Sequence, residues 1–282
     1  MQQLATGYGL VEGPVWDAAK GLYFSDVMNG GVFLLDRADQ VSLAVPKRRG
    51  IGGMALHAEG GLIVGGRDIA HVGFNGAPAK PVLTAENIPG AIGFNDLTTD
   101  RHGRIYVGSL AFKVFGGDTP KPGFLHLIEN DGRVRTISDG VMLTNGLGFS
   151  PDGERLYHSD AHAKIVRVYD VREDGSVSPW RVFADLAPGA PDGLKVAEDG
   201  SVWVADAHGA RVAVFAPDGK HRRDIATPLP MVTSLCFGGD DMKDLYIVTG
   251  SVGAPNEQSG TVFRTRADVA GLLLAPARIR LP

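Results

Sequence analysis

A chain of 282 residues, 44% hydrophobic and 21% charged, can bury a large core and is not a disordered polymer. Its formal charge of −4 gives no electrostatic case for nucleic acid or an anionic membrane surface, and no run approaches the roughly 18 apolar residues of a membrane helix. One cysteine, Cys236, excludes an internal disulfide and gives no hint of a thiolate zinc site.

Residues 1–10 lack the basic start and apolar stretch of a secretory signal, so a soluble cytoplasmic protein is expected. Residues 1–8 are read as an outer strand that closes the ring. From there a phrase recurs about six times along the chain. It is a small or turn residue, a short apolar run, an Asp-Gly-type turn, then an apolar run ending near Ser or Asp. The clear copies run from Glu12 to Asp26, Asn95 to Ser109, Asn145 to Asp160 and Asp192 to Asp206; weaker ones start at Gly52 and Ser234. Alternating runs such as Leu22-Tyr23-Phe24-Ser25, Ile105-Tyr106-Val107 and Val202-Trp203-Val204-Ala205 read as strands. Pro151-Asp152-Gly153, Glu198-Asp199-Gly200 and Pro217-Asp218-Gly219 read as the turns between them. Gly 39 and Pro 17 fit many tight turns. No stretch has convincing helical periodicity; the nearest, 267–277, is short and ends at Pro276.

Repeats of roughly 40–50 residues built from short strands predict a propeller. The expectation is an all-β, six-bladed β-propeller, one domain over residues 1–282. Such a fold brings equivalent positions of every repeat to a central axis, so Glu12, Asn95, Asn145 and Asp192 become neighbours. Because paired strands run antiparallel, the start of the first strand and the end of the second share one face. That face then carries Glu12 with Asp26, Asn145 with Asp160 and His162, and Asp192 with Asp206 and His208. It also carries the long connection from Leu110 to Gly123, with Phe112, Lys113 and Phe115, which reads as a lid or specificity wall or else as a surface excursion. His57, His102 and His221 fall near turns on the other face. Cys236, inside Leu235-Cys236-Phe237, reads as a buried structural thiol.

Two carboxylates and two amides on one axis suit a hard divalent cation such as Ca²⁺ rather than a thiolate-loving one. Each has a plainer alternative, since Asn and Asp before Gly are common turn residues. Four at matching repeat positions weaken that alternative.

The phrases Glu12-Gly-Pro, Phe94-Asn95-Asp96, Thr144-Asn145-Gly146, Pro191-Asp192-Gly193 and Cys236-Phe237-Gly238-Gly239 occur in order. As a set the chain resembles the SMP-30/gluconolactonase/regucalcin family over about residues 12–264. The resemblance implies a six-bladed propeller with an axial divalent cation, usually Ca²⁺, and lactone hydrolysis. It implies Glu12, Asn145 and Asp192 as metal ligands, with Asn95 beside the metal binding substrate or ligating. Members acting on sugars carry an Arg where this chain has Gly93, and acidic residues where it has Phe112 and Lys113. With Phe94, Phe112 and Phe115 nearby, a lactone less polar than a sugar lactone is expected.

The expected mechanism is metal-assisted hydrolysis with Asp192 as general base and Asn95 orienting the substrate carbonyl. Phe94, Phe112, Lys113, Phe115, His162 and His208 are the expected substrate contacts, the two histidines being alternative bases. Mn²⁺, Fe²⁺ or Zn²⁺ could replace Ca²⁺ among such oxygens. A small-molecule substrate is the expected partner, with no nucleic acid and no membrane, in a monomer or weak homo-oligomer. Phosphotriester hydrolysis on the same metal, or a non-enzymatic binding propeller, are the alternatives.

Overall fold

The computed structural model describes residues 1–74 and 76–281. Its strands form six four-stranded antiparallel sheets, arranged as the repeat predicts. The first strands are Val11–Asp17, Met54–Leu56, Gly93–Thr99, Thr144–Phe149, Pro191–Val196 and Val232–Gly238. Each sits at the edge of its sheet and touches the first strands of the neighbouring blades, so the six together line the axis. Gln2–Tyr8 pairs with Gly260–Arg266 as the outermost strand of blade six. A blade made from Gln2–Tyr8 and the strands between Val232 and Arg266 ties the ring shut.

The core lies between blades. Trp203, Val212, Leu235, Phe237, Ile247 and Phe263 pack blade five on blade six. Phe94, Ile63, Ile69, Ile105 and Val107 pack blade two on blade three. Burial of each such side chain contributes about 1.5–3 kcal/mol. Cys236 is buried there as a free thiol, which burial pushes up to about 11. A thiol so held keeps its proton and serves packing. The only helix among the described residues is one 3-10 turn, Ala85–Asn87.

The two ends of the blades use Asp differently. At the upper end Asp26, Asp160 and Asp206 close their repeats. Asp26 accepts from the backbone N–H of Gly9, Met28 and Asn29, and Asp160 from Met142 and Leu143. Asp206 accepts from Ala190. Each thereby fastens the incoming chain to the loop that follows its strand. At the lower end the Asp-Gly turns serve themselves: Asp100 accepts from His102 and Arg104, and Asp152 from Glu154. The C-terminal segment from Ala267 onward is irregular and crosses this lower end. Leu272 donates to Val196, Ala275 accepts from Thr99 Oγ1, Ala277 donates to Leu56, and Arg280 donates to Asn130. His57, expected to be incidental, is buried and holds the Ile279 carbonyl at 3.0 Å. The strap thus closes the axial shaft from below.

Candidate functional site on the central axis

A local irregularity shared by five blades builds the upper end of the shaft. Opposite two residues of the second strand, the first strand inserts three: Glu12 to Val15, Phe94 to Leu97, Thr144 to Leu147 and Pro191 to Leu194. Blade six shifts between Val232 and Ser234. Such bulges re-aim side chains beside active sites. The register makes Glu12, Asn95, Asn145, Asp192 and Thr233 equivalent. Blade six therefore contributes Thr233 to this ring rather than Ser234, where the sequence repeat placed it. Thr233 is spent on the fold, since its Oγ1 donates to the Val11 carbonyl at 2.5 Å.

The neighbouring glycines are not turn residues. Asn145-Gly146 and Asp192-Gly193 lie inside strands, so the plainer turn reading does not hold. A Cβ on Gly146 would stand 2.2 Å from the Leu194 nitrogen, and one on Gly193 2.1 Å from Ser234 Oγ. The inner strands approach backbone to backbone, and only Gly fits. Gly52 in blade two instead makes room for a side chain, because a Cβ there would lie 2.0 Å from Asn95 Oδ1.

Asn95 Nδ2 donates to Asn145 Oδ1 at 2.5 Å and to the Thr144 carbonyl at 2.7 Å. A carbonyl only accepts, so this contact fixes which way the amide faces. Both amide hydrogens are committed. Asn95 thus leaves only its side-chain oxygen for a ligand. Glu12 is half-buried and accepts from Gly13 at 3.2 Å. Burial, then the charges of Asp192 and Asp96, hold its carboxyl well above the usual range. Asp192 is buried, and burial followed by the charge of Asp96 raises it likewise. Like charges forced together out of water favour protons or a cation.

Two members of the shaft escaped sequence reasoning. Asp96 is buried, raised by burial, and occupies the second ring where blades one, two, four and five have Gly. Its signal lay in plain view as the residue after Asn95. Lys195 stands lower on the inner strand of blade five and eases the ionised forms of Glu12 and Asp96. Among the described residues no three His, Cys, Asp or Glu side chains could hold an ion by themselves. The donor set is two carboxylates with two amide oxygens, and it fits a hard cation with coordination positions to spare.

Around the mouth the expected contacts divide. Phe94 is 1% exposed and belongs to the interface of blades two and three, because it alternates with Asn95 and points away from the axis. It cannot touch a substrate. Phe112 is buried at the base of the long connection. Lys113 is exposed in a turn closed by its backbone N–H to Asp118. Phe115 is 67% exposed and lines a cleft of about 400 Å³ with Leu10, Met28, Met231 and Val252 of blades one and six. The connection from blade three therefore reaches over the mouth to the far side. His162 is exposed, and His208 sits in a separate outer crevice with Gly189 and Arg211. The axis brings neither to the donors. Ser109 has a histidine partner, His126 at 3.0 Å, but both are buried between strands and serve packing. A further cleft of about 610 Å³ opens at the lower end between Asp100, Arg172 and Leu273, and contains none of the axial donors.

Fold and site together define a six-bladed propeller with an oxygen-lined axial centre. Residues 10–251 match the SMP-30/gluconolactonase/LRE-like region, and the chain belongs to that family. It is 32% identical to a 6-deoxy-6-sulfogluconolactonase of Pseudomonas putida over 93% of this chain and 92% of that one. It is 31% identical to the pentonolactonase XacC of Haloferax volcanii over 95% and 90%. A luciferin-regenerating enzyme shares the fold with a TM-score of 0.87 at 24% identity, covering 99% of both chains. A calcium-binding regucalcin of Agrobacterium tumefaciens does so at 0.85 and 19%, covering 98% and 96%. No helix among the described residues is long and apolar enough to cross a membrane.

Proposed function

We propose that this chain is a divalent-metal-dependent hydrolase that opens lactones less polar than sugar lactones. The observation that carries the reading is the axial set of Glu12, Asn95, Asn145 and Asp192, aimed inward by the shared bulge. Relatives named for lactone hydrolysis at about a third identity support the reaction class. A regucalcin neighbour described as calcium-binding supports Ca²⁺ as the ion.

Glu12, Asp192 and the oxygens of Asn95 and Asn145 would hold the cation. When bound, it supplies a Lewis acid for the lactone carbonyl. Asp192 takes the proton from the attacking water. Its burial is suited to that task, because a base works best when its proton affinity lies near the working pH. Asn145 is held in place by the Asn95 amide, so the two act as a fixed oxygen pair.

The polarity of the substrate is read from the mouth. Met28, Phe115 and Val252 are exposed apolar groups around one cleft. Leu10 and Met231 lie two residues before Glu12 and Thr233, so the cleft wall leads directly to the axial ring. An apolar substituent on the lactone ring would be desolvated there. Hydrolysis followed by pH-stat across sugar, alkyl and aromatic lactones, with and without chelator, tests the reading. Chelator-sensitive turnover with preference for alkyl or aromatic lactones is expected. Undiminished turnover in chelator would overturn the metal dependence, and preference for sugar lactones would overturn the polarity.

A further inference from the structure

Beneath the axial ring lies a charge that the proposed reaction does not use. The bulge between Pro191 and Leu194 adds one residue, so Asp192 and Lys195 face the same way although they are three positions apart. Lys195 meets Val15 of blade one, Met54 and Ala55 of blade two, Thr99 of blade three and Cys236 of blade six around one small cavity. Residues drawn from five blades can meet only on the axis. The cavity is otherwise lined by apolar groups, and Leu272 to Ala275 of the C-terminal strap wall its lower side. Lys195 is partly buried and has no ion pair or hydrogen bond through its ammonium among the described residues. A lysine without a near partner in such surroundings is costly unless charge further off compensates it. The shaft above supplies that charge in Glu12, Asp96 and Asp192.

We infer that Lys195 is a built-in countercharge that sets the strength and the charge preference of cation binding at the axial site. The inference rests on the metal reading above. Glu12, Asp96 and Asp192 together carry three negative charges when ionised, and Lys195 reduces the sum to two. That sum matches a divalent ion, whereas three bare carboxylates match a trivalent one. Three strand residues span roughly 10 Å, and Coulomb attraction at that range is still felt inside a protein. Lys195 therefore weakens the hold on any cation and weakens it most for the most highly charged.

Chelator-stripped wild type, Lys195→Met, Lys195→Gln and Lys195→Arg would be titrated by calorimetry with Ca²⁺ and with Tb³⁺. Both neutral variants should bind Ca²⁺ at least about tenfold more tightly and Tb³⁺ at least about thirtyfold more tightly, since the gain from removing one unit charge scales with the charge of the ion. Lys195→Arg should stay within about twofold of wild type because its charge is kept. A merely structural role would loosen the site and weaken both ions together. Two neutral variants guard against a folding defect in one of them. If wild type binds Ca²⁺ and the neutral variants bind it no more tightly, the countercharge is overturned. If wild type binds neither ion, the metal reading itself fails and takes this inference with it.

Discussion

At the upper end of the blades Asp96 and Asp192 hold their protons more tightly than a free carboxylate, because both are buried and Asp192 also faces the charge of Asp96. At the lower end Asp152, Asp174 and Asp218 release theirs more readily, helped first by the Ser150 hydroxyl, the Ser176 hydroxyl and the Lys220 ammonium. The same residue type stands at both ends of one repeat with opposite electrostatics. Carboxylates below find their leading partners within four residues of themselves, so they are largely satisfied by their own turns. The axial carboxylates above, Glu12, Asp96 and Asp192, are brought together by blades far apart in sequence and remain short of positive charge. The first arrangement serves stability; the second leaves like charges to be balanced.

The sharpest way to break that contrast is Asp192→Asn. Turnover should fall by about a thousandfold or more, since both a ligand and the proposed base are lost. The chelated protein should meanwhile become more stable by roughly 1–2 kcal/mol, because a buried charge has been removed. Added Ca²⁺ should raise the melting temperature of wild type and leave the variant nearly unmoved. Near-normal turnover with the cation bound would sink the base assignment.

Acid provides a second test, and its sign differs from that of the upper carboxylates. Burial lowers His126 to about 4 and His158 to about 3. Both are therefore neutral in the folded protein, while the unfolded chain takes up these protons near pH 6.5. Stability from these groups is complete above that pH. It is lost as pH falls toward about 4 for His126 and toward about 3 for His158. The loss at pH 5 should be roughly 2 kcal/mol for each. Raised carboxylates such as Asp192 run the other way in metal-free protein, gaining stability as they protonate. Urea unfolding of wild type against His126→Asn isolates one histidine: the variant should lose about 2 kcal/mol less between pH 7 and pH 5. Parallel losses in the two proteins would show that His126 is already charged in the folded state.

Asp100→Ala probes the lower end. It removes two backbone hydrogen bonds and the 2.6 Å ion pair to Arg104, both partners being largely buried. The expected cost is about 2 kcal/mol, with kcat and Ca²⁺ affinity unchanged. A loss of cation affinity would mean that the lower turns help to shape the axial ring.

Much of this could be read from the chain because the propeller is a repeat. Equivalent positions converge whatever their separation, so the ring of Glu12, Asn95, Asn145 and Asp192 followed from spacing alone. The bulge could not be read, because a period of two residues carries no mark of an inserted one. That gap hid Lys195, which simple alternation places away from Asp192, and shifted the blade six position from Thr233 to Ser234. Alternation itself was available for Phe94, whose place next to an axial residue turns it into the core. The path of the C-terminal strap was illegible for a different reason. Its contacts are scattered over several blades, backbone bonds to Val196, Leu56 and Asn130 and side-chain bonds from Thr99 and His57, and its own residues, such as Ala277 and Ile279, carry no pattern.

The smallest expected effect concerns the mouth, and it separates lid from surface excursion. Phe115 is exposed and packs on no core cluster, so Phe115→Ala should leave the melting temperature within a degree or two. Phe112, buried at the base of the same connection, would instead cost about 3 kcal/mol on truncation to Ala. That makes it a poor probe of specificity. If the cleft shared by Phe115, Met28 and Val252 desolvates a substituent of the lactone, Phe115→Ala should raise KM for alkyl and aromatic lactones about tenfold. One phenyl face is worth roughly that much. An unsubstituted lactone, whose ring does not reach the cleft, should be hydrolysed as before, and kcat should hardly move for either. A uniform change for all substrates would mean that the connection closes over the site as a cover, with no preference for what lies beneath it. No change for any would leave it a surface excursion.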